Sequence, residues 1–380
     1  MEAYFDNAAT TAVFPEVKDI MLKLMDEDYG NPSSLHMKGV EAERYIKTAT
    51  AQIAKELKCQ EKEVVFTSGG TEANNLAIIG GAIAHRRAGK HIITSEIEHA
   101  SVSATMDFLA KEGYEISVVG VDSQGKLKLD ELKATLRPDT ILVSVMYVNN
   151  EIGAIQPVEE IGKLIKDYNP SILYHIDAVQ AFGKLRFTPK KLGADLLSIS
   201  GHKIHGPKGS GVLYIKEKTL IRPIIYGGGQ QKAMRSGTEN VPAIAGMGLA
   251  AELMYKNHES KMEHIRGLKE AFIEKVTKLE NVFDNSGEAP HIASVSFVGI
   301  RSEVMLHALE ERGVYVSSGS ACSSNKPHVS NVLKAIGLDN TKLESTLRFS
   351  FSEFNTMEQV EYAVQVIEEI LPVFRRYIRK

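Results

Sequence analysis

Lys203 follows the apolar run Asp195–Ser200 in the stretch Ser200-Gly201-His202-Lys203, and Ile204-His205-Gly206-Pro207-Lys208-Gly209 comes after it. A strand that stops in glycine and proline punctuation opens into a loop, and α/β enzymes keep their chemistry where strands open. A lysine held there can lose its proton through desolvation and capture an aldehyde as a Schiff base. Asp177 closes a second apolar run, His175-Ile176-Asp177, with Gln180 three residues on. Its carboxylate can hold a protonated ring nitrogen. The spacing of twenty-six from Asp177 to Lys203 fits one crossover helix and a strand, which sets both groups at one edge of a sheet.

The turn Thr67-Ser68-Gly69-Gly70-Thr71-Glu72 is a strand end, a glycine pair and a helix start in succession. Free N–H groups, hydroxyls and the helix dipole make such a turn either an anion cradle suited to phosphate or a simple cap. It is not a nucleotide P-loop, because no lysine precedes a Ser or Thr at the required spacing. Phosphate cradle, ring-nitrogen acid and aldehyde-binding lysine are together the requirements of pyridoxal 5'-phosphate. Cys322 lies in the run Val316–Pro327, whose small polar residues cannot pack, so a surface loop able to move is expected. Lys326 or a bound cofactor favours its thiolate. The other cysteine, Cys59, falls at the end of an amphipathic helix and reads as packing filler.

Strands and helices must hold these groups. Seven strands are expected, at 64–67, 91–94, 115–119, 141–146, 172–176, 196–199 and 211–215, mostly separated by helix-length segments. That alternation calls for a mainly parallel sheet with helices on both faces. Pro15 starts a helix through about Asp26, and Gly39–Leu57 repeats apolar residues at helical spacing. After a helix over Val241–Met254 the pattern changes to a long charged helix over Lys256–Leu279, short strands at 292–297 and 347–351, and helices over 303–312 and 357–376. The division expected is a large domain over 15–255 and a smaller α+β domain from 1–14 and 256–380, the latter carrying the cysteine loop at about 316–330.

The 380 residues suit two domains, and 43% hydrophobic with 24% charged residues is ordinary globular composition. A net charge of -3 gives no reason to expect a nucleic-acid partner. No apolar run approaches a membrane span and the first residues lack a signal-peptide pattern, so a cytoplasmic protein without membrane attachment is expected. Two cysteines without a C-x-x-C pair, and twelve histidines without ligand spacing, point away from a disulfide framework or a metal site.

In order along the chain, Tyr4–Thr11, Thr67–Glu72, Glu98-His99, Val148–Gly153, His175–Gln180, Ser200–Lys203, Met234–Thr238, Ser317–Cys322 and Leu347–Ser350 resemble the NifS/IscS-like cysteine desulfurases. These belong to the class V aminotransferases, pyridoxal-phosphate enzymes of fold type I. The resemblance implies that Lys203 binds the cofactor aldehyde and later moves protons, that His99 stacks on the ring, that Asp177 pairs with its nitrogen and that Gln180 bonds its phenolic oxygen. Gly70, Thr71, Ser200 and His202 would form the phosphate site, with Thr238 reaching in from the second subunit of a homodimer. Asn150 would lie beside the cofactor, and Asn31 and Arg348 would take the substrate carboxylate. The implied reaction moves sulfur from L-cysteine to Cys322 as a persulfide and releases L-alanine. The sulfur would then pass to an acceptor protein, either an iron–sulfur scaffold or a dedicated carrier for thiocofactor or thio-tRNA synthesis. Housekeeping relatives continue into a docking tail where this chain stops at Lys380, which leaves the acceptor open. A selenocysteine lyase or a small-amino-acid aminotransferase on the same fold, and a non-catalytic scaffold, are the alternative readings.

Overall fold

The computed structural model describes residues 1–318 and 330–378, with side chains through 376. The chain opens with β1 (Ala3–Tyr4), α1 (Pro15–Asp26) and α2 (Met37–Leu57). Pro15 occupies the first turn of α1, where its missing N–H is no loss and its φ is already helical. Strands and helices then alternate: β2 (Val64–Thr67), α3 (Gly70–His85), β3 (His91–Ser95), α4 (Ala100–Lys111), β4 (Glu115–Val119), α5 (Leu129–Thr135), β5 (Thr140–Met146), α6 (Val158–Tyr168), β6 (Leu173–Asp177), α7 (Pro189–Leu192), β7 (Leu196–Ser200) and β8 (Gly211–Ile215). These strands form one seven-stranded sheet in the order β2-β8-β7-β6-β5-β3-β4. Only β8 runs against its neighbours. The chain is therefore the mainly parallel α/β fold that the alternation called for.

Every position of β5, β6 and β7 is buried, which is why they read as unbroken apolar runs and not as alternation. Because they are parallel and in close register, with Met146 opposite Asp177 and Asp177 opposite Ser198, their last residues gather at one edge of the sheet. Helices α1 and α2 pack on α8 (Val241–Tyr255).

Beyond α8, α9 (His258–Val276) leads into β9 (Val282–Asp284), β10 (Ile292–Phe297), α10 (Ser302–Glu310), β11 (Val314–Tyr315) and β12 (Ser317–Ser318). The described chain resumes with α11 (Asn331–Ala335), α12 (Asn340–Leu343), β13 (Thr346–Ser350) and α13 (Met357–Ile378). A second, antiparallel sheet has the order β12-β13-β10-β9, while β1 pairs in parallel with β11 and so ties the N-terminus to this part of the chain. Strands β9, β11 and β12 are two or three residues long, too short to show a period in the sequence. In the other direction α11 packs near the end of β5: Val332 and Leu333 share one apolar cluster with Ile97, Met146 and Ile152.

Candidate active site

A cavity of about 310 Å³ opens at the sheet edge where β5, β6 and β7 end. Ten residues singled out from the sequence line it: Gly70, Thr71, His99, Asn150, Asp177, Gln180, Ser200, His202, Lys203 and Arg348. Lys203 sits in the single helical turn that follows β7, and its Nζ donates to the carbonyls of Ala8 (2.6 Å) and Ala9 (2.7 Å). The N-terminal segment is thus one wall of the site. It is held there by Thr11, whose Oγ1 donates to the His202 carbonyl and accepts from the His205 N–H. His202 is pushed down to about 4, first by burial and then by the charge of Lys203, so its imidazole is neutral at pH 7.

Asp177 is 5% exposed at the last position of β6, and two donors fix its carboxylate. The Val179 N–H donates to Oδ1 at 3.0 Å, and Asn74 Nδ2 donates to Oδ2 at 2.8 Å. Asn74 also donates to Ser101 Oγ (2.8 Å), which lies 2.8 Å from His99 Nδ1. The Ser101 N–H donates to that same Nδ1, which assigns the proton of a neutral His99 ring to Nε2. One chain of bonds therefore joins the acid expected to face a ring nitrogen to the histidine expected to cover the ring. Asn74 and Ser101 line the cavity, yet the sequence reading did not name them as site residues. The available signal was that Asn74 stands one helical turn beyond Gly70, on the same face of α3.

Next to His99, the Glu98 carboxyl accepts from Ser95 Oγ (2.5 Å) and from the Met146 N–H (2.9 Å). Burial, with the Asp177 charge a lesser cause, pushes it up to about 8, so it carries a proton at neutral pH.

Arg348, 5% exposed on β13, donates from Nη2 to Asp6 Oδ1 (2.7 Å) and from Nη1 to the Asn150 carbonyl (2.9 Å). Its buried Nε has no hydrogen-bond partner among the described residues. A guanidinium with a spare donor beside a cavity suits a carboxylate. Gln180 donates to the Ala8 carbonyl at 2.9 Å.

Asn31 and Thr238 do not line the cavity. Asn31 is exposed, and its Oδ1 accepts the Ser33 N–H. Thr238 is also exposed and lines a separate cavity of about 160 Å³ with Ser68, Gly209 and Arg235. Arg235 ties that region to the cradle by donating from Nε to Glu72 Oε1 at 2.9 Å. Cys322 lies outside the described residues; the described residues on either side of its segment contact Arg348, which lines the cavity, and Glu151, which adjoins the lining residue Asn150. Before it, Ser317 pairs with Arg348; after it, Ser330 Oγ donates to Glu151, the neighbour of Asn150. Cys59 is partly buried against the main core, and burial pushes its thiol up to about 12.

These residues fit pyridoxal 5'-phosphate. A Cβ on Gly70 would come within 2.8 Å of Val179 Cγ2, so glycine keeps the start of α3 open as an anion cradle, with Thr71, Ser200 and His202 around it. Asn74 Oδ1 and Arg348 Nε are buried polar atoms with no protein partner among the described residues, as expected where a polar molecule binds. Among the described residues, no group of three or more His, Cys, Asp or Glu can hold a metal ion, and no helix is long and apolar enough to cross a membrane.

Comparison with known proteins places this geometry in a family. The class-V aminotransferase profile matches residues 3–363. The cysteine desulfurase IscS of Dictyoglomus turgidum is 43% identical, over 98% of this chain and 95% of its own length. A solved NifS-like protein superposes with a TM-score of 0.93 at 38% identity, covering 98% of this chain and all of its own. The structure of SspA in complex with cysteine matches with a TM-score of 0.81 at 34% identity, over 93% of this chain and 100% of that one. The chain belongs to the class-V aminotransferases, pyridoxal-phosphate enzymes, and within them to the group of the cysteine desulfurases.

Proposed function

We propose that this protein is a cysteine desulfurase that takes sulfur from L-cysteine, releases L-alanine and carries the sulfur as a persulfide on Cys322. The observation that most supports this reading is that the residues on both sides of the Cys322 segment contact the surroundings of the cavity, Ser317 opposite the lining residue Arg348 and Ser330 on Glu151 beside the lining residue Asn150. The low reactivity expected of the Cys59 thiol supports it from the other side.

Bound pyridoxal phosphate supplies an electron sink next to the α-carbon of the amino acid. Lys203 Nζ, drawn up to the Ala8 and Ala9 carbonyls, is the amine for the cofactor aldehyde and then the carrier of protons within the site. Asp177, locked by Val179 and Asn74, presents a fixed carboxylate to a cationic ring nitrogen. Thr71, Ser200, His202 and the start of α3 hold the phosphate. Arg348 orients the substrate carboxylate. The Cys322 thiolate attacks the substrate sulfur, so a sulfur–sulfur bond forms as the carbon–sulfur bond breaks. The electron pair of that bond goes to carbon, which takes a proton and becomes the methyl group of alanine.

The acceptor is a protein that takes sulfur from a persulfide, either an iron–sulfur scaffold or a dedicated carrier. The exposure of Thr238, away from the cavity of its own chain, is consistent with a homodimer in which it completes the neighbour's phosphate site. A cytoplasmic location and the division into 15–255 and 1–14 with 256–380 complete the proposal. Cys322→Ala tests it. Sulfide release from L-cysteine is lost while the visible band of the cofactor is retained; normal turnover would favour an aminotransferase or lyase that does not use this thiol.

A further inference from the structure

We infer that Glu151 is a positioning residue for the reacting cysteine, fixing through Ser330 the point at which the chain returns to the cavity wall after Cys322. The inference rests on the persulfide role proposed for that thiol. Its basis is a pair of contacts that hold Glu151 from both sides. The Asn149 Oδ1 accepts the N–H groups of Glu151 (2.9 Å) and Ile152 (3.0 Å), while its Nδ2 donates to the Ile97 carbonyl, so the turn after β5 is rigidly placed. Asn150 in that turn lines the cavity and accepts from Arg348. The Glu151 side chain leaves this wall and accepts from Ser330 Oγ at 2.5 Å.

Ser330 is itself buried and caps α11, its Oγ accepting the Leu333 N–H at 3.1 Å. Val332 and Leu333 then pack against Ile97, Met146 and Ile152. Eight residues after Cys322 the chain is thus joined to the cavity wall by one hydroxyl–carboxyl bond and an apolar cluster. The cluster would hold α11 without any carboxylate; the bond adds an element that depends on charge.

Among the described residues, the groups facing Glu151 are His99, ahead of α4, and Arg348 on β13, with the hydroxyl of Ser330, the cap of α11. Burial pushes Glu151 up to about 7, against the opposing pull of Ser330, Arg348 and His99. Its ionised form makes a charge-assisted bond about twice as strong as the neutral form can. Ser330 is therefore held more firmly above neutral pH than below it.

The test uses the cofactor-loaded full chain and follows single-turnover persulfide formation on Cys322 from about pH 6 to about pH 8.5. The native protein should show an ionisation near 7 in this step. Glu151→Gln keeps an acceptor but no charge, so it should lose that inflection and run about fivefold slower at the alkaline end, with KM for L-cysteine and the cofactor band unchanged. Ser330→Ala should slow the step to a similar degree, and the double variant should be no slower than the slower single one. Ser330→Thr, which keeps the hydroxyl, should restore the native profile. An inflection that survives Glu151→Gln, or single effects that multiply in the double variant, overturns the inference. Sulfur transfer that persists in Cys322→Ala would instead refute the persulfide reading itself, whatever the Glu151 variants do.

Discussion

Asn74→Asp is the sharpest probe of how Asp177 is held. It replaces the donor that faces Asp177 Oδ2 at 2.8 Å with an oxygen of nearly the same shape and position. Two like charges at that separation repel by ~6 kcal/mol at an effective dielectric of about 20, equivalent to ~4 pKa units. The pair shares one proton and titrates as a unit, with its second ionisation raised well above the ordinary carboxylate value. The direction follows from linkage. A folded pKa raised above the unfolded one contributes stability that is present below the unfolded value and is lost as pH rises through the folded value. Between about pH 5 and about pH 8 the variant should therefore lose ~3 to 4 kcal/mol relative to Asn74→Ala, which removes the same donor without adding charge. Urea unfolding of the cofactor-free protein at a series of pH values measures the difference. Parallel pH curves for the two variants would show that Asn74 does not face the Asp177 carboxylate in the folded chain.

Arg348→Lys should raise KM for L-cysteine by about ten- to a hundredfold, because an ammonium cannot keep bonds to Asp6 and the Asn150 carbonyl and still present a donor to a carboxylate. Steady-state kinetics on the loaded enzyme check this, and an unchanged KM would remove Arg348 from substrate binding. Glu98, held up to about 8 by burial, makes the native protein lose stability as pH rises from the ordinary carboxylate range toward that value. Glu98→Gln should abolish that loss in urea midpoints compared at about pH 5.5 and about pH 8; an unaltered slope would mean that Glu98 is ionised throughout.

The parts of the site legible in the sequence are those that end strands. Asp177, Ser200 and the turn before Lys203 close runs that are apolar because β6 and β7 are buried on both faces, so the break in hydrophobicity marks the cavity edge. Asn74 and Ser101 escaped because their role lies in contacts 103 and 27 residues away, between elements that only the folded sheet brings together. Glu98 escaped for a related reason: its raised pKa comes from burial against Ser95 and Met146, and a glutamate before a helix otherwise reads as solvated. The antiparallel direction of β8 follows from its pairing with β2 and β7, and no local pattern of Gly211–Ile215 encodes it. Asn31 and Thr238, expected on the strength of family resemblance, lie away from the cavity of the single chain. For Thr238, the role expected in a neighbouring subunit's site has no signature in one chain's own contacts.

The account turns on where the sulfur goes. One equivalent of L-cysteine added to the cofactor-loaded protein, followed by rapid alkylation, digestion and mass mapping, should show one added sulfur atom on the Cys322 peptide and none on the Cys59 peptide. An unmodified Cys322 peptide from protein that has already released alanine would contradict it.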